Sequence, residues 1–235
     1  MPLPSAELPR SVAIILDGNS RWAAARGLST SEGHRAGTRA LRRTVEAAID
    51  LGIESLTVYA FSTENWMRPT DEVEDLMEIF GETIERELPD LAAQGVRTRF
   101  IGRRDRAPAW LQSAMAHLEE ETAGNERLQL WIAFDYGGRA EIVEAVKRLL
   151  ANGTDPAELD EEAFARCLYA PDLPDPDLII RTSGELRISN FLLWQLAYAE
   201  LYVTPVLWPD FTRQHLFEAI LEFQRRDRRF GRVTV

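Results

Sequence analysis

Six short apolar runs, each separated from the next by a segment with apolar residues at helical spacing, constrain this chain more than any other feature. Residues 12–16, 56–60, 96–101, 128–134, 178–180 and 203–207 read as strands. Residues 33–51, 72–91, 108–122, 139–150, 161–168 and 212–226 read as helices; in the second of these, Leu76, Ile79, Phe80, Ile84 and Leu88 share one face. Strands that alternate with helices are joined by crossovers. The expected fold is therefore α/β: a single domain over residues 1–235, with a mostly parallel six-stranded sheet flanked by helices. Ligands bind such sheets outside the carboxyl ends of the strands, so the polar residues after each apolar run form the candidate site.

Length and composition narrow the class. A chain of 235 residues, 45% hydrophobic and 28% charged, can bury one substantial core. A net charge of −11 argues against a nucleic-acid surface, and the basic cluster of Arg225, Arg226, Arg228 and Arg229 is only local. The single cysteine, Cys167, allows neither an internal disulfide nor a cysteine zinc site; it reads as a core thiol in a reducing compartment. The N-terminus lacks a charged-then-apolar signal pattern, and the longest apolar stretch, residues 191–199, is interrupted by Gln195 and too short to span a bilayer. A cytoplasmic protein without a transmembrane segment is expected. The proline-rich residues 171–176 read as a surface loop.

The most informative polar stretch runs from Arg181 to Asn190. It joins two guanidinium groups, three hydroxyls and a glycine turn where the strand at 178–180 would leave the sheet. Arginine binds phosphate through a planar fork of donors, so this is an anion site that suits a diphosphate; the bland alternative is a pair of surface salt bridges. Asp17, Gly18, Asn19, Ser20, Arg21 and Trp22 follow the first strand and open a helical segment. A glycine permits close backbone approach and a helix start offers free N–H donors to an anion. An aspartate beside a phosphate cradle implies a bridging Mg²⁺ held by oxygen ligands, although an Asp-Gly turn without a ligand is the plainer reading. After the second strand, Ser62, Asn65, Trp66 and Arg68 would suit a pocket with one apolar and one polar wall; structurally, Trp66 would be core and Asn65 would cap a turn. His34 sits at a helix start, where capping or packing competes with catalysis.

Several chemistries are disfavoured. There is no Gly-x-x-x-x-Gly-Lys-Ser/Thr loop, no Gly-x-Gly-x-x-Gly after a strand and no Gly-x-Ser-x-Gly elbow. The acidic run from Asp71 to Asp75 reads as a solvated first helical turn rather than as a metal motif.

In combination, the residues 17–19, 33–37, 59–66, 136–139, 180–195 and 208–211 resemble the cis-prenyltransferase family of undecaprenyl-diphosphate-synthase-like enzymes, in order and over nearly the whole chain. The resemblance implies a homodimeric enzyme that uses Mg²⁺ to condense an allylic diphosphate with isopentenyl diphosphate, forming a cis double bond. By motif, Asp17 would hold the metal, and Gly18, Asn19, Ser20, Arg21, Trp22 and His34 would surround the allylic diphosphate. Arg181, Arg187 and Ser189 would bind isopentenyl diphosphate, while Ser62, Asn65, Trp66 and Arg68 would position the reacting ends, with Asp17 and Asn65 as the catalytic pair. Glu200 would be the second metal carboxylate, supplied across the dimer interface.

The chain also departs from the family pattern. Leu16 and Ser20 flank Asp-Gly-Asn where Met and Gly are usual, and Thr30 stands where many members have an arginine. Arg103 replaces an aspartate, and Phe134-Asp135 replaces a small residue followed by asparagine. The resemblance implies that the fourth strand lines an apolar tunnel for the growing chain; a phenylalanine there would fill the volume of several methylenes, so Phe134 predicts a short or medium product, against which the small Ala60 on the neighbouring strand leaves room. Two other readings stay open: an altered acceptor, either a second allylic diphosphate or an aromatic molecule, and a non-catalytic partner subunit, which retention of Asp17 and the arginines disfavours.

Overall fold

The computed structural model describes residues 8–228. Residues 1–7 and 229–235, including Arg229 of the basic cluster and the chain start, lie outside the described residues. Six strands, β1 (Ser11–Ile15), β2 (Ser55–Ser62), β3 (Val96–Ile101), β4 (Leu128–Tyr136), β5 (Leu178–Arg181) and β6 (Glu200–Val203), form one sheet in the order β3-β4-β2-β1-β5-β6. Every neighbouring pair is parallel. Parallel strands need both faces covered, and β1 and β5 are buried at every residue.

Each strand divides its side chains between two cores because successive residues point to opposite faces. Val12, Ile14, Leu56, Val58 and Ile132 pack with α2 (Thr30–Leu51), α3 (Thr70–Ala93), α4 (Ala109–Glu121) and α7 (Arg213–Gln224). Ala13, Ile15, Tyr59, Trp131 and Ala133 pack on the other face, under Leu173, Phe191 and Leu192. The remaining helices are α1 (Asn19–Ala24), α5 (Gly138–Ala151) and α6 (Glu161–Ala165).

Helix starts follow local chemistry. The Ser29 side chain accepts from Glu32 N while Glu32 bonds Ser29 N, a capping box that begins α2 three residues before its apolar periodicity. Asp160 caps α6, which is shorter than the expected 161–168. The Tyr169 amide donates to Glu141 Oε1 (3.1 Å), so the chain turns towards α5 instead of winding on.

The last strand differs from its expected position at 203–207. It runs over Glu200–Val203, and the following residues form a turn in which Ser183 N and Gly184 N donate to the Val206 and Thr204 carbonyls (2.8 and 2.9 Å). Pro205 has no N–H to give a ladder, whereas Glu200, Leu201 and Tyr202 pair with β5. Cys167 also differs from expectation, being half-buried rather than a core thiol. Residues 171–176 form the expected connection. Arg226 and Arg228 tie the end of α7 back to Glu200 (2.8 Å) and Asp177 (2.9 Å). Among the described residues, no helix is long and apolar enough to cross a membrane.

Candidate active site

Parallel pairing brings the polar clusters together. β1 lies between β2 and β5, and Ile15 is level with Tyr59 on one side and Arg181 on the other, so the segments after all three strands emerge at one edge. At that edge Asp17 N donates to Thr182 Oγ1 (2.9 Å), and Thr182 Oγ1 lies 2.7 Å from the Asp17 carbonyl, which also accepts from Trp208 N at 3.0 Å. Gly18 has φ 114°, and a Cβ there would come within 2.9 Å of Leu207 Cδ2 and 3.1 Å of its Cα. Only glycine makes this turn without displacing the loop that carries Trp208.

Three charged groups converge on it. The Asp17 carboxylate accepts from Arg21 Nη2 through Oδ1 (3.1 Å) and from Arg181 Nη2 through Oδ2 (2.9 Å). Burial pushes the Asp17 carboxyl up, but its bonds to Arg181 and Ser183 and the nearby Arg21 outweigh this and hold it below the usual carboxylate range. The Arg181 side chain is only 4% exposed; besides Asp17 it reaches Ser189 Oγ (2.7 Å) and the Arg187 carbonyl, and its Nε has no partner. Arg21 also donates to Ser183 Oγ (2.6 Å). Arg187 points outward and pairs with Glu185 (2.6 Å), which Arg21 approaches at 3.4 Å.

The backbone here is strained. The described non-glycine residues with positive φ are Asp135, at the end of β4, and Ser183, Ser189, Asn190 and Leu192, after β5. Such conformations persist where surrounding bonds over-determine them. Asn190 shows how: its carbonyl accepts from Gly138 N (2.7 Å), its Oδ1 from Arg139 N (2.9 Å), and its Nδ2 donates to Glu64 Oε1 (3.0 Å).

The opposite side of the rim comes from α2 and the 3-10 turn Thr63–Met67. A Cβ on Gly37 would meet Asn19 Oδ1 at 2.4 Å, and one on Gly33 would meet the Asn19 carbonyl at the same distance, so the two glycines make the cleft that receives Asn19. Asn19 Oδ1 is buried without a partner. His34 Nε2 is buried likewise, 4.0 Å from Glu72 Oε1, and Glu72 accepts from Arg68 at 2.7 Å. Burial, aided by the Arg68 charge and opposed by Glu72, lowers His34 to about 4, so the ring is neutral at pH 7. Glu72 is therefore part of the rim, while Asp71, Glu74 and Asp75 form the solvated turn expected of the acidic run. Asn65 Oδ1 accepts from Ser62 N (2.8 Å) and caps its turn while facing the cavity.

A cavity of about 310 Å³ opens beneath this rim between α2, α3 and the sheet. Of the residues singled out from the sequence, Asp17, Asn19, His34, Ala60, Ser62, Asn65, Arg68, Arg181 and Ser189 line it. Gly18 shapes the turn behind it, and Arg21 and Arg187 sit on its solvent side. Ser20 is exposed on α1, and Trp22 donates from Nε1 to Asp210 Oδ1 (2.7 Å), away from the cavity. Trp66 packs edge-on against Phe61 and under the Arg106 guanidinium. Phe134 does not form the wall. It is fully buried behind it, stacked on Phe61 (5.4 Å) and edge-on to Phe80 (5.3 Å), and those two rings line the cavity in its place. Asp135 is buried and bonded by both of its oxygens to Arg106.

Mg²⁺ takes oxygen ligands and is commonly held by one or two carboxylates together with substrate phosphates. Asp17, half-buried and kept ionised, fits that manner of binding. Glu200 does not join it within one chain, because it pairs with Leu178, itself level with Val12, at the opposite end of the sheet from Asp17. Among the described residues no three His, Cys, Asp or Glu side chains form a metal cluster. Ser183, Glu185 and Asn190 were not singled out from the sequence; their signal was their place inside the Arg181–Asn190 run, but which of them reach back to Asp17 and α5 depends on positive-φ turns that residue type alone does not announce.

A family model described as putative undecaprenyl diphosphate synthase matches residues 15–231. An isoprenyl transferase of Heliobacterium mobile is 53% identical over 232 residues, covering 97% of this chain and 89% of that protein. A ditrans,polycis-undecaprenyl-diphosphate synthase of Xanthomonas axonopodis pv. citri, described as (2E,6E)-farnesyl-diphosphate specific, is 48% identical over 234 residues, covering 98% and 91%. The crystal structure of lavandulyl diphosphate synthase from Lavandula x intermedia, in complex with dimethylallyl diphosphate, superposes with a TM-score of 0.93 at 38% identity, covering 95% and 98%.

Proposed function

From the premise that this chain belongs to the undecaprenyl diphosphate synthase family of cis-prenyltransferases, and is an enzyme of that family, we propose that it condenses an allylic diphosphate with isopentenyl diphosphate to give a cis-prenyl diphosphate of short or medium length. One observation carries the reading: a buried arginine and an ionised aspartate face each other at the ends of neighbouring strands, at the mouth of a cavity whose middle is lined by apolar side chains. A charged head held at the rim and a hydrocarbon tail in the cavity match those two environments. At about 310 Å³ the cavity lies at the low end of the roughly 300–1,000 Å³ typical of small-molecule sites, which favours the shorter product.

In this mechanism Asn19, Arg21 and the neutral His34 hold the allylic diphosphate, with the Gly18 turn and the Ser20 end of α1 beside it. Mg²⁺ bound at Asp17 would neutralise charge on the departing diphosphate. Arg181, Arg187 and Ser189 hold isopentenyl diphosphate, and Ser62, Asn65 and Arg68 keep its double bond against the allylic carbon. Fixing both substrates removes the entropy cost of their encounter, and fixed donors stabilise the diphosphate as the C–O bond breaks with carbocation character. The apolar walls keep water from that carbocation. Glu200 would complete the metal site of a second copy, so a homodimer is part of the proposal. The chain works as one catalytic domain in the cytoplasm, the compartment its lone Cys167 suits.

A second reading, coupling of two allylic diphosphates, is favoured by the dimethylallyl diphosphate, itself allylic, in the complex of the similar lavandulyl diphosphate synthase. Radiolabelled allylic diphosphates from C5 to C20, incubated with and without isopentenyl diphosphate and analysed by mass spectrometry, separate the two. Product that requires isopentenyl diphosphate and is mainly shorter than C50 is expected. A main product of C50–C55 overturns the short-chain assignment, and product formed without isopentenyl diphosphate overturns the acceptor.

A further inference from the structure

The loop after β3 is docked on the end of β4. Gly102 has φ 112°, and a Cβ there would lie 2.1 Å from the Phe134 carbonyl oxygen, so backbone meets backbone. Arg103 N donates to the Asp135 carbonyl (3.3 Å). Asp135 is 1% exposed and has φ 44°, a conformation that Asn and Asp adopt more readily than most side chains. Both of its carboxylate oxygens accept from Arg106, Oδ2 from Nε at 2.9 Å. A carboxylate buried this deeply needs its partner, so it fixes where the Arg106 guanidinium lies. That guanidinium sits 5.0 Å from the centre of the Trp66 ring, which also packs edge-on against Phe61 at 5.1 Å. Trp66 Nε1 is buried without a hydrogen-bond partner, so packing and not a bond holds the indole. Trp66 belongs to the 3-10 turn Thr63–Met67, no residue of which is fully buried. Hydrogen bonds in so short a 3-10 turn are poorly aligned, and its shape depends on what surrounds it.

Resting on the reading that Asn65 and Arg68 align the two substrates, we propose that Arg106 is a positioning residue for the condensation. Clamped by Asp135, it holds Trp66 and through it the turn that presents Asn65 and Arg68 to the cavity. Arg68 N donates to the Asn65 carbonyl (3.1 Å), so a shift of the residue between them moves both. Arg106 acts at one remove. Neither it nor Asp135 lines the catalytic cavity; Arg106 lines a separate hollow with Trp66, Arg68, Val73 and Met77. The residue type suits the task, because a planar guanidinium can fork a carboxylate and lie against an aromatic ring at once, which an ammonium cannot. The aspartate at 135, a departure from the family pattern, makes the clamp an ion pair; an asparagine would offer Arg106 one acceptor atom and no charge.

The test compares Arg106→Met/Asp135→Asn with Asp135→Asn alone, using a labelled short allylic diphosphate and isopentenyl diphosphate. Neutralising both partners leaves no buried charge unpaired, so the double variant is expected to fold. Its single-turnover rate of condensation at saturating substrates is expected to be roughly 10- to 100-fold below that of Asp135→Asn, the cost of misplacing reacting groups by a fraction of an ångström to about one. The concentration of each diphosphate that gives half that rate should change by no more than about threefold, because Arg106 touches neither. If the double variant does not fold, Arg106→Lys keeps a cation for Asp135 without the planar fork and is expected to slow the same step. A folded variant with an unchanged rate overturns the positioning role. A loss expressed instead in the half-saturating concentrations also overturns it, since that would put Arg106 on a substrate. Wild-type enzyme that makes no product from isopentenyl diphosphate overturns the reading on which the role rests.

Discussion

The cavity has a charged group at its rim and another between α2 and α3, and the two are built in opposite ways. At the rim, Arg181 is almost wholly buried and is held by a carboxylate, a hydroxyl and a carbonyl on strained backbone. Between the helices, Arg42 has a side chain 42% exposed and reaches only other side chains, Glu46, Glu87 and Asp90, on regular helices. The first arrangement stores strain and leaves polar atoms such as Arg181 Nε and Asn19 Oδ1 without partners, as expected of a surface shaped for a charged ligand. The second is locally satisfied and unstrained, as expected of a strap between two helices. Charge alone does not mark a binding site; charge that the protein itself leaves incompletely satisfied does.

The sharpest way to break this contrast is to neutralise the rim. Asp17→Asn keeps side-chain volume and leaves Arg181 its bonds to Ser189 and Arg187, so the fold should survive. If the ionised carboxylate acts on the departing diphosphate, kcat should fall by roughly 100- to 1,000-fold, the range seen when one preorganised electrostatic group is removed. Steady-state kinetics, with the thermal melt as a check on folding, measure it. Near-normal turnover would make the rim no more functional than the strap.

The rim was legible in the sequence because it is made from segments that follow strands, and a parallel sheet sends all such segments to one edge. Asp17, Arg181 and Ser189 could be brought together by that rule alone. The strap was not legible: Arg42, Glu87 and Asp90 read as ordinary charges on amphipathic helices, and their facing depends on how α2 and α3 lie over the sheet. Phe134 fails in the same way, since strand periodicity gives the face it points to but not which aromatic neighbour stands between it and the cavity. The displaced β6 has a local cause. The apolar residues Leu201, Tyr202 and Val203 of this edge strand are followed at once by Val206 and Leu207, so the apolar pattern alone does not say which side of Thr204-Pro205 holds the strand.

A smaller effect should distinguish the rim by pH. His34 is 14% exposed, and its pKa is lowered from 6.5 to about 4, so the unfolded chain binds a proton that the folded chain refuses. Stability is then fully present above pH 6.5 and declines as pH falls towards 4, by at most about 3 kcal/mol for this group. Urea unfolding at pH 7 and pH 4.5 should show the decline, and His34→Gln should remove most of the slope between pH 6.5 and 4. A slope unchanged in His34→Gln would assign the acid sensitivity to other groups and leave His34 a solvated side chain like those of the strap.

The smallest effect belongs to the strap and bears most directly on the contrast. Arg42→Ala removes three ion pairs at once, yet each involves a side chain that is half in water, and Glu87 keeps Arg86 as a partner. Exposed pairs contribute about 0–1 kcal/mol each and weaken with salt, so Arg42→Ala should cost about 1 kcal/mol in dilute buffer and less in 0.5 M NaCl. Arg181→Ala takes from Asp17 a partner only 4% exposed and should cost about 3 kcal/mol with less dependence on salt, because the guanidinium side of the pair is shielded although Asp17 is 27% exposed and keeps Arg21. Urea denaturation of both variants at two ionic strengths gives the four numbers needed. Equal losses with equal salt dependence would mean that the two charged groups differ in position alone and not in construction; a large salt-sensitive loss for Arg42→Ala would mean that α2 and α3 are held together by charge rather than by packing around the cavity.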